Sequence, residues 1–218
     1  MNTAQHQDLK KIRSYGPTVR LLEKDHVLVV EKSFNQRMLP IRIIGSLLIF
    51  WERLMYKKLQ GIDGIPELME SPDRLTLVTR YMGGSNLRDG ETSPGAAYFD
   101  QLRDIISAMH KRGIIHLDLR NRRNYGMDDS RRPYLVDFAT CLYVPWPGSL
   151  RNLLSAIDWM GFVKVKHKIN PDLLSPEEKN LYEFGTTLSS FWFPTRIVRI
   201  LRSLSKTLSP ADRTKTKP

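Results

Sequence analysis

The chain has 218 residues, 41% of them hydrophobic, which is enough to bury the core of one large domain or of two small lobes and excludes disorder as the default. Its 34 Lys and Arg residues against 23 Asp and Glu residues give a formal net charge of +11, which favours anionic partners such as a nucleotide, a nucleic acid or an acidic membrane surface. The single cysteine, Cys141, excludes an internal disulfide framework and is consistent with a reducing compartment.

No stretch of the sequence is typical of export or of a membrane span. Residues 1–16 are polar and basic and lack the apolar core of a secretory signal. The longest uncharged apolar run, residues 43–51, is far shorter than the roughly 20 residues that a helix needs to cross a bilayer. We therefore expect a cytoplasmic protein that does not span the membrane.

Two apolar, β-branched segments, residues 18–22 and 27–30, predict a β-hairpin, and Lys32 follows the second strand. A helix is predicted next, because Pro40 suits a first helical turn and apolar residues then recur at helical spacing. The residues predicted to form its buried face are Ile44, Leu47, Leu48, Trp51, Leu54 and Met55. Glu52 lies among them and is either a partner of Lys32 or a surface residue. Lys32, in turn, is either that partner or a solvated residue at the end of a strand.

The next part of the chain predicts the rest of a small antiparallel sheet. A turn-rich break at residues 61–66 precedes a short strand near Leu68 and a second strand over residues 75–81. Residues 82–84, Met-Gly-Gly, then form either a hinge beside a ligand or a plain linker.

An amphipathic helix is predicted over residues 96–112 and ends at Gly113. It leads to the polar loop that contains His116 and Asp118.

A second acidic residue follows a predicted hairpin. Residues 125–127 and 134–136 are short apolar runs separated by turn formers, and the hairpin would carry Asp137 back beside Asp118. Two carboxylates suit phosphoryl transfer, in which one orients and deprotonates the attacking hydroxyl and the other holds magnesium on the phosphates. The alternative is that Asp118 lies in an ordinary loop and Asp137 merely ends a strand.

The combination of His-x-Asp, hairpin and Asp-Phe resembles the protein-kinase-like superfamily, and within it the compact bacterial branch of lipopolysaccharide core kinases and RIO-type kinases. The resemblance extends from about Thr18 to about Lys168. It implies an α+β, two-lobed protein-kinase-like fold: a small antiparallel-sheet N-lobe with one helix and a mainly helical C-lobe. The implied divisions are an N-terminal extension at 1–16, an N-lobe at 17–82, a C-lobe at 83–209 and a disordered tail at 210–218.

The resemblance also implies roles for individual residues. Asp118 would be the catalytic base, and Asp137 and Asn124 would hold magnesium. Lys32 would anchor the α- and β-phosphates of ATP, with Glu52 as the residue that orients it.

Backbone groups of Tyr81 and Met82 would bind the adenine ring, and His116 would brace the catalytic loop. Asn121 is a poorer candidate than Asn124 for the amide ligand.

Several positions depart from the family pattern. The usual magnesium-binding asparagine stands five residues beyond the catalytic aspartate, but that position is Arg123, so we assign Asn124, one residue later. Asp-Phe-Ala at residues 137–139 replaces Asp-Phe-Gly, and only Gly16 lies near the first strand, without a G-x-G-x-x-G loop. No Ala-Pro-Glu activation segment follows, which argues against docking of an extended peptide.

Two features of the last third have open interpretations. Asp158, in a predicted helix, resembles the family aspartate that accepts backbone hydrogen bonds from the catalytic loop, although a cap or surface position is an alternative. Residues 194–208 predict an amphipathic helix flanked by arginines, which would lie on an anionic membrane or, as we favour, pack its apolar stripe on the domain.

The predicted function is magnesium-dependent transfer of the ATP γ-phosphate to a hydroxyl of a lipopolysaccharide core sugar or of a protein Ser or Thr. The expected partners are ATP, this acceptor and, peripherally, an anionic inner membrane. The alternatives are a pseudokinase scaffold that binds nucleotide without turnover and, less favoured, a basic nucleic-acid-binding module. The sequence has no zinc-ligand spacing or RNA-binding aromatic motif to support a nucleic-acid partner.

Overall fold

The structure is a computed structural model that describes residues 7–8, 16–90 and 93–191. The first element along the chain is an antiparallel sheet of four strands. Its strands lie side by side in chain order. They are β1 (Gln7–Asp8), β2 (Thr18–Lys24), β3 (Val27–Ser33) and β4 (Thr76–Arg80). The predicted hairpin is present as β2 and β3, and the strand predicted near Leu68 is a single bridge to Thr79.

The sheet is held by an apolar cluster on one of its faces. Leu22, Val29 and Val78, one from each of three adjacent strands, are buried together. Because side chains alternate between the two faces of a strand, burial of these residues fixes which face each neighbouring side chain occupies.

Helix α1 (Leu39–Leu59) follows β3 and has Pro40 in its first turn, as predicted. Its predicted buried face is largely wrong: Ile44, Leu47 and Leu48 are exposed, and only Met55 of the predicted set is fully buried. The residues that are buried are Gly45, Ile49, Glu52, Met55, Tyr56 and Leu59.

The rotation of α1 follows from a close contact at Gly45. A Cβ atom at position 45 would lie 2.4 Å from Cγ of Phe34, so the absence of a side chain lets this face approach Phe34 closely. Nearly all residues of the first half of α1 are apolar, so periodicity alone could not select the buried face.

The remaining elements include short sheets and two helices on either side of the loop of Asp118 in the chain. Helix α2 (Ala96–Lys111) follows the first strand of a three-stranded sheet and precedes its other two strands and both strands of a two-stranded sheet. The three-stranded sheet joins β5 (Ser85–Asn86), β7 (Tyr125–Met127) and β8 (Pro133–Leu135), and the two-stranded sheet joins β6 (Ile114–Ile115) and β9 (Leu142–Tyr143). The predicted hairpin is thus β7 and β8. Helix α3 (Ser149–Ile169) completes this part.

The described residues up to Ser175 form one compact unit. A second unit begins at Pro176, and its described part is helix α4 (Pro176–Phe191). The amphipathic helix predicted at 194–208 and the tail at 210–218 lie outside the described residues, as does most of the extension at 1–16. Among the helices that the structure describes, none combines the length and apolarity needed to cross a membrane.

Gly84 allows a close backbone crossing, which leads to a first prediction. It has φ +58°, and a Cβ there would lie 1.9 Å from the carbonyl oxygen of Met127. Gly61 also has positive φ, at +80°, but has no atom within 4 Å of its built Cβ. Gly61→Ala should therefore cost only the left-handed backbone strain, about 1–2 kcal/mol, whereas Gly84→Ala should cost clearly more.

The two free energies of unfolding can be compared by urea denaturation of each variant. Equal losses at the two positions would contradict a steric role for the crossing at Gly84.

Candidate active site

The side chain of Lys32 lies between two carboxylates from distant parts of the chain. Its Nζ donates to Oε2 of Glu52 at 2.7 Å and to Oδ1 of Asp137 at 3.0 Å. Lys32 comes from β3, Glu52 from α1, and Asp137 follows β8. The sheet, the helix and the second hairpin therefore meet at one ammonium group.

Because this cluster is largely buried, the electrostatic interactions among its charges are strong. Glu52 is only 1% exposed, and the Lys32 side chain is mostly enclosed. Burial lowers the pKa of Lys32, but the carboxylates of Glu52 and Asp137 more than compensate, so the pKa lies above its ordinary value. Lys32 is therefore fully protonated at neutral pH.

Asp118 is held by two asparagine side chains. The Nδ2 group of Asn124 donates to both the backbone oxygen and Oδ2 of Asp118, each at 3.0 Å, and that of Asn121 donates to the same Oδ2 at 3.2 Å. Nε of Arg120 lies 4.0 Å from Oδ1 of Asp118. The carboxylate thus has its amide donors on one oxygen and a guanidinium near the other.

Asn124 also connects Asp118 with the segment that carries Asp137. The backbone oxygen of Asn124 accepts a hydrogen bond from the N–H of Val136, the residue before Asp137, at 3.0 Å. The carbonyl of Val136 in turn lies 3.3 Å from Nε2 of His116. One residue therefore ties the loop of Asp118 to the strand end at Asp137.

The loop between Asp118 and the following strand is one residue longer than the family pattern, and this changes which side chain points inward. Asn124 is buried, whereas Arg123 points outward, with its Nε 3.6 Å from Oδ2 of Asp89. A three-residue 3₁₀ turn, Arg122–Asn124, absorbs the difference, and Asn121 caps it by accepting a hydrogen bond from the N–H of Arg123. The structure places Asn124, and not Arg123, beside Asp118.

Asp158 fixes the backbone that precedes Asp118, as the family resemblance implied. It is 1% exposed, and its two carboxylate oxygens accept hydrogen bonds from the N–H groups of His116 and Leu117, both at 2.7 Å. Leu117 has φ +63°, a left-handed conformation that is costly for a side chain other than glycine. The buried carboxylate helps to hold the loop in this strained form.

Three residues to which sequence reasoning gave no role in the site support it. Nε2 of His110 lies 2.9 Å from Oδ2 of Asp158, so α2 also contacts this carboxylate. The Nε1–H of Trp51 donates to the carbonyl of Cys141 at 2.9 Å, and the Tyr56 ring packs edge-on against Phe138 at 4.9 Å. These contacts join residues far apart in the sequence, and no local pattern marks them.

His116 has the bracing position expected for it. It is fully buried, and its ring centroid lies 5.2 Å from that of Phe138. Its Nε2 lies 3.3 Å from the carbonyl of Val136, and its own carbonyl accepts a hydrogen bond from the hydroxyl of Thr140 at 3.1 Å.

Some backbone groups of the predicted hinge already have hydrogen-bond partners within the protein. The N–H of Tyr81 donates to the carbonyl of Leu28 at 2.9 Å, so an adenine contact at Tyr81 would have to use its carbonyl oxygen. The segment that follows Met82 is held by two phenols: Tyr81 donates to the carbonyl of Gly84 at 3.2 Å, and Tyr134 to that of Gly83 at 3.0 Å.

The residues present fit a magnesium ion that is shared with phosphate oxygens. Among the described residues, no three His, Cys, Asp or Glu side chains cluster to hold a metal. Asp137 and Asn124 supply one partly exposed carboxylate and one amide oxygen, and magnesium commonly binds one or two protein ligands together with substrate phosphates and water. This donor set suits a metal that arrives with a nucleotide.

The Lys32 cluster predicts strong coupling between Lys32 and Glu52. Lys32→Met should destabilise the fold by about 3–5 kcal/mol, because it leaves the buried Glu52 carboxylate without its lysine. The double variant Lys32→Met/Glu52→Gln should be more stable than Lys32→Met alone, since neither charge is then buried. Chemical denaturation of the wild type and the three variants measures this cycle, and strictly additive losses would contradict the coupling.

Cys141 predicts a loss of stability at alkaline pH. Burial raises the pKa of this thiol above 9.0, with a further contribution from the carboxylate of Asp158. Above about pH 9 the unfolded chain loses the thiol proton while the folded chain keeps it, so the free energy of unfolding falls as pH rises, by at most about 1.4 kcal/mol per pH unit for one group.

Cys141→Ala keeps the carbonyl that accepts from Trp51 and should flatten this dependence between pH 9 and the onset of tyrosine ionisation near pH 10. Denaturant titrations at several pH values check it. Identical pH profiles for the wild type and the variant would show that the thiol does not contribute.

No protein-family model matches the chain, and no curated protein matches it significantly. Among solved structures, the chain is similar to the Rio2 kinase-ADP/Mg²⁺-phosphoaspartate complex from Chaetomium thermophilum, with a TM-score of 0.60 and 15% identity over 82% of this chain and 60% of that one. It is also similar to Rio2 kinase from the same organism, with a TM-score of 0.58 and 16% identity over 79% of this chain and 60% of that one.

The chain therefore spans about 60% of the length of these two chains. At such identities the similarity concerns the fold alone. It confirms the prediction that this chain has an α+β, two-lobed protein-kinase-like fold.

Proposed function

We propose that this protein is a magnesium-dependent ATP phosphotransferase that acts on a hydroxyl acceptor. The observation that supports it most directly is the position of Lys32, whose ammonium group contacts both Glu52 and Asp137, while Asn124 holds Asp118 and contacts the segment of Asp137. A phosphotransferase needs a fixed cation, a metal-binding carboxylate and a second carboxylate for the acceptor.

Each side chain has a separate task in this proposal. Lys32, oriented by Glu52, would bind the phosphates of ATP, and the backbone near Tyr81 and Met82 would bind the adenine. Asp137 and the amide oxygen of Asn124 would hold magnesium, which neutralises charge on the phosphates when it is bound.

Asp118 would orient the acceptor hydroxyl and accept its proton as the oxygen attacks the γ-phosphorus. Its Oδ2 is engaged by two amide donors, which fix the direction of the carboxylate. A positioned carboxylate of this kind typically contributes a factor of about 10²–10⁴ to the rate.

The acceptor that we favour is a sugar hydroxyl of a lipopolysaccharide core, with a protein Ser or Thr as the second choice. The absence of an Ala-Pro-Glu segment from the sequence removes the usual platform for an extended peptide. Arg120 is largely exposed beside Asp118, and the chain carries a net charge of +11, both of which suit an acceptor that bears other negative groups. We place the protein in the cytoplasm, peripheral to the inner membrane.

A nucleotide-binding pseudokinase scaffold is the second candidate function. It is favoured by the lack of a glycine-rich phosphate loop, since the only glycine near β2 is Gly16. Lys32 and the magnesium ligands would then hold the nucleotide without turnover.

Substitution of the proposed base tests the enzymatic function. Asp118→Asn should lower transfer of labelled γ-phosphate by about 10²–10⁴-fold, because the base is lost. Affinity for ATP should change little, because Asp118 does not contact Lys32 or Glu52. Asp100→Asn, an exposed carboxylate of α2, is the matched control and should retain full activity.

The assay uses ATP with fractionated lipid and protein extracts, so the fraction that takes up label also identifies the acceptor. Equal background in the wild type and Asp118→Asn, together with ATP binding that Lys32→Met abolishes, would favour the scaffold. Absence of ATP binding, with steeply salt-dependent binding of RNA or DNA, would favour the basic nucleic-acid module.

A further inference from the structure

The outer face of α1 carries a continuous row of exposed apolar side chains. Leu39, Ile43, Leu47 and Phe50 have exposed fractions of 67%, 59%, 66% and 64%. We refer to these four residues as the α1 stripe. Soluble proteins rarely expose large apolar side chains contiguously, and where they do, the patch is commonly an interaction site.

The spacing of its four residues places the α1 stripe on one side of the helix. Its members are separated by four, four and three positions, which at 3.6 residues per turn places them along one side of the helix. Ile49 and Glu52 lie on the opposite side and are buried. Helix α1 is therefore apolar on its outer side and carries Glu52 on its inner side.

The charged residues of α1 other than Glu52 are all basic. The sequence has no Asp or Glu between Glu31 and Glu52, and Glu52 is itself buried against Lys32. Arg42 is exposed within the stripe's first turns, and Lys57 is exposed beyond its end. An apolar row on a helix whose exposed charged residues are cations is the composition of helices that lie in the interface of an anionic bilayer.

Charge also disfavours a second copy of the chain as the occupant. A parallel pairing of two α1 helices would place Arg42 of one copy beside Arg42 of the other. An antiparallel pairing would place Arg42 of one copy towards Lys57 of the other. The net charge of +11 adds to this repulsion. An anionic lipid surface instead satisfies both the apolar row and the cations that border it.

We propose that the α1 stripe docks this protein on an anionic membrane surface, with α1 lying in the interface and Arg42 and Lys57 beside lipid phosphates. This inference goes beyond phosphotransfer and does not depend on it. If the acceptor is a glycolipid, the same surface would bring the site of Asp118 close to its substrate. Because α1 also carries Glu52, lipid would contact the helix that orients Lys32.

Vesicle co-sedimentation of the full chain tests the proposal. The probes are vesicles of phosphatidylcholine alone and of phosphatidylcholine mixed with phosphatidylglycerol. The wild type should bind the anionic vesicles and bind the neutral ones much less. Leu47→Glu should reduce binding to the anionic vesicles by about tenfold or more, the effect expected from losing one buried leucine side chain.

Two controls separate this effect from misfolding and from general charge. Leu28→Glu replaces a leucine of β3 that is 48% exposed outside α1 and adds the same negative charge, and it should bind nearly as well as the wild type. Asp118→Asn should bind vesicles normally, so failed docking can be distinguished from failed catalysis. Thermal unfolding of every variant checks the fold.

Three results would overturn the proposal. The first is equal loss of binding in Leu47→Glu and Leu28→Glu, which would show that net charge alone is responsible. The second is equal binding of the wild type to neutral and anionic vesicles, or to neither. The third is a concentration-dependent dimer that Leu47→Glu dissolves in the absence of lipid, which would identify a second copy as the occupant.

Discussion

The structure depends on the placement of one buried ammonium group between two carboxylates. Lys32, Glu52 and Asp137 come from a strand, a helix and the end of a hairpin, and these elements must pack correctly for the three groups to meet. Burial of charge is unfavourable unless the charge is paired, so a displaced helix or hairpin would leave an unpaired ion in the interior. The arrangement therefore couples folding of the N-terminal sheet to the geometry of the site.

A second buried carboxylate, that of Asp158, has a similar role at the loop of Asp118. Asp158 accepts backbone hydrogen bonds from His116 and Leu117 and also contacts His110, so α2, α3 and the loop of Asp118 converge on it. The left-handed conformation of Leu117 is strained, and local strain persists where surrounding contacts determine it. The loop of Asp118 is thus fixed by contacts of Asp158 that are separate from those of Lys32.

Helix α1 combines the site with an exposed surface. Its inner side brings Glu52 to Lys32, and Trp51 and Tyr56 connect it to the segment that follows Asp137. Its outer side is the α1 stripe. Any partner that binds the outer side would contact the same helix that carries Glu52. Binding at the α1 stripe could therefore shift Glu52 and, through it, Lys32.

Sequence patterns predicted the fold class, most of the elements and the contact between Lys32 and Glu52. Local patterns were sufficient for the two hairpins, for α2 and for the loop of Asp118, because turn formers and hydrophobic periodicity act over a few residues. The combination of His-x-Asp, hairpin and Asp-Phe provided the family resemblance. In the structure Lys32 contacts both Glu52 and Asp137, while the roles that the resemblance implies remain proposals.

The rotation of α1 and the supporting contacts depend on packing between distant parts of the chain. In a helix that is apolar on most sides, the buried face is selected by its neighbours: Gly45 admits Phe34, and Glu52 must reach Lys32, which leaves Leu47 in solvent. The choice of Asn124 over Arg123 was argued from its position before a strand, but its hydrogen bonds to Asp118 depend on the 3₁₀ turn. The contacts of His110, Trp51 and Tyr56 join positions 48 to 90 residues apart, a separation at which sequence periodicity carries no information.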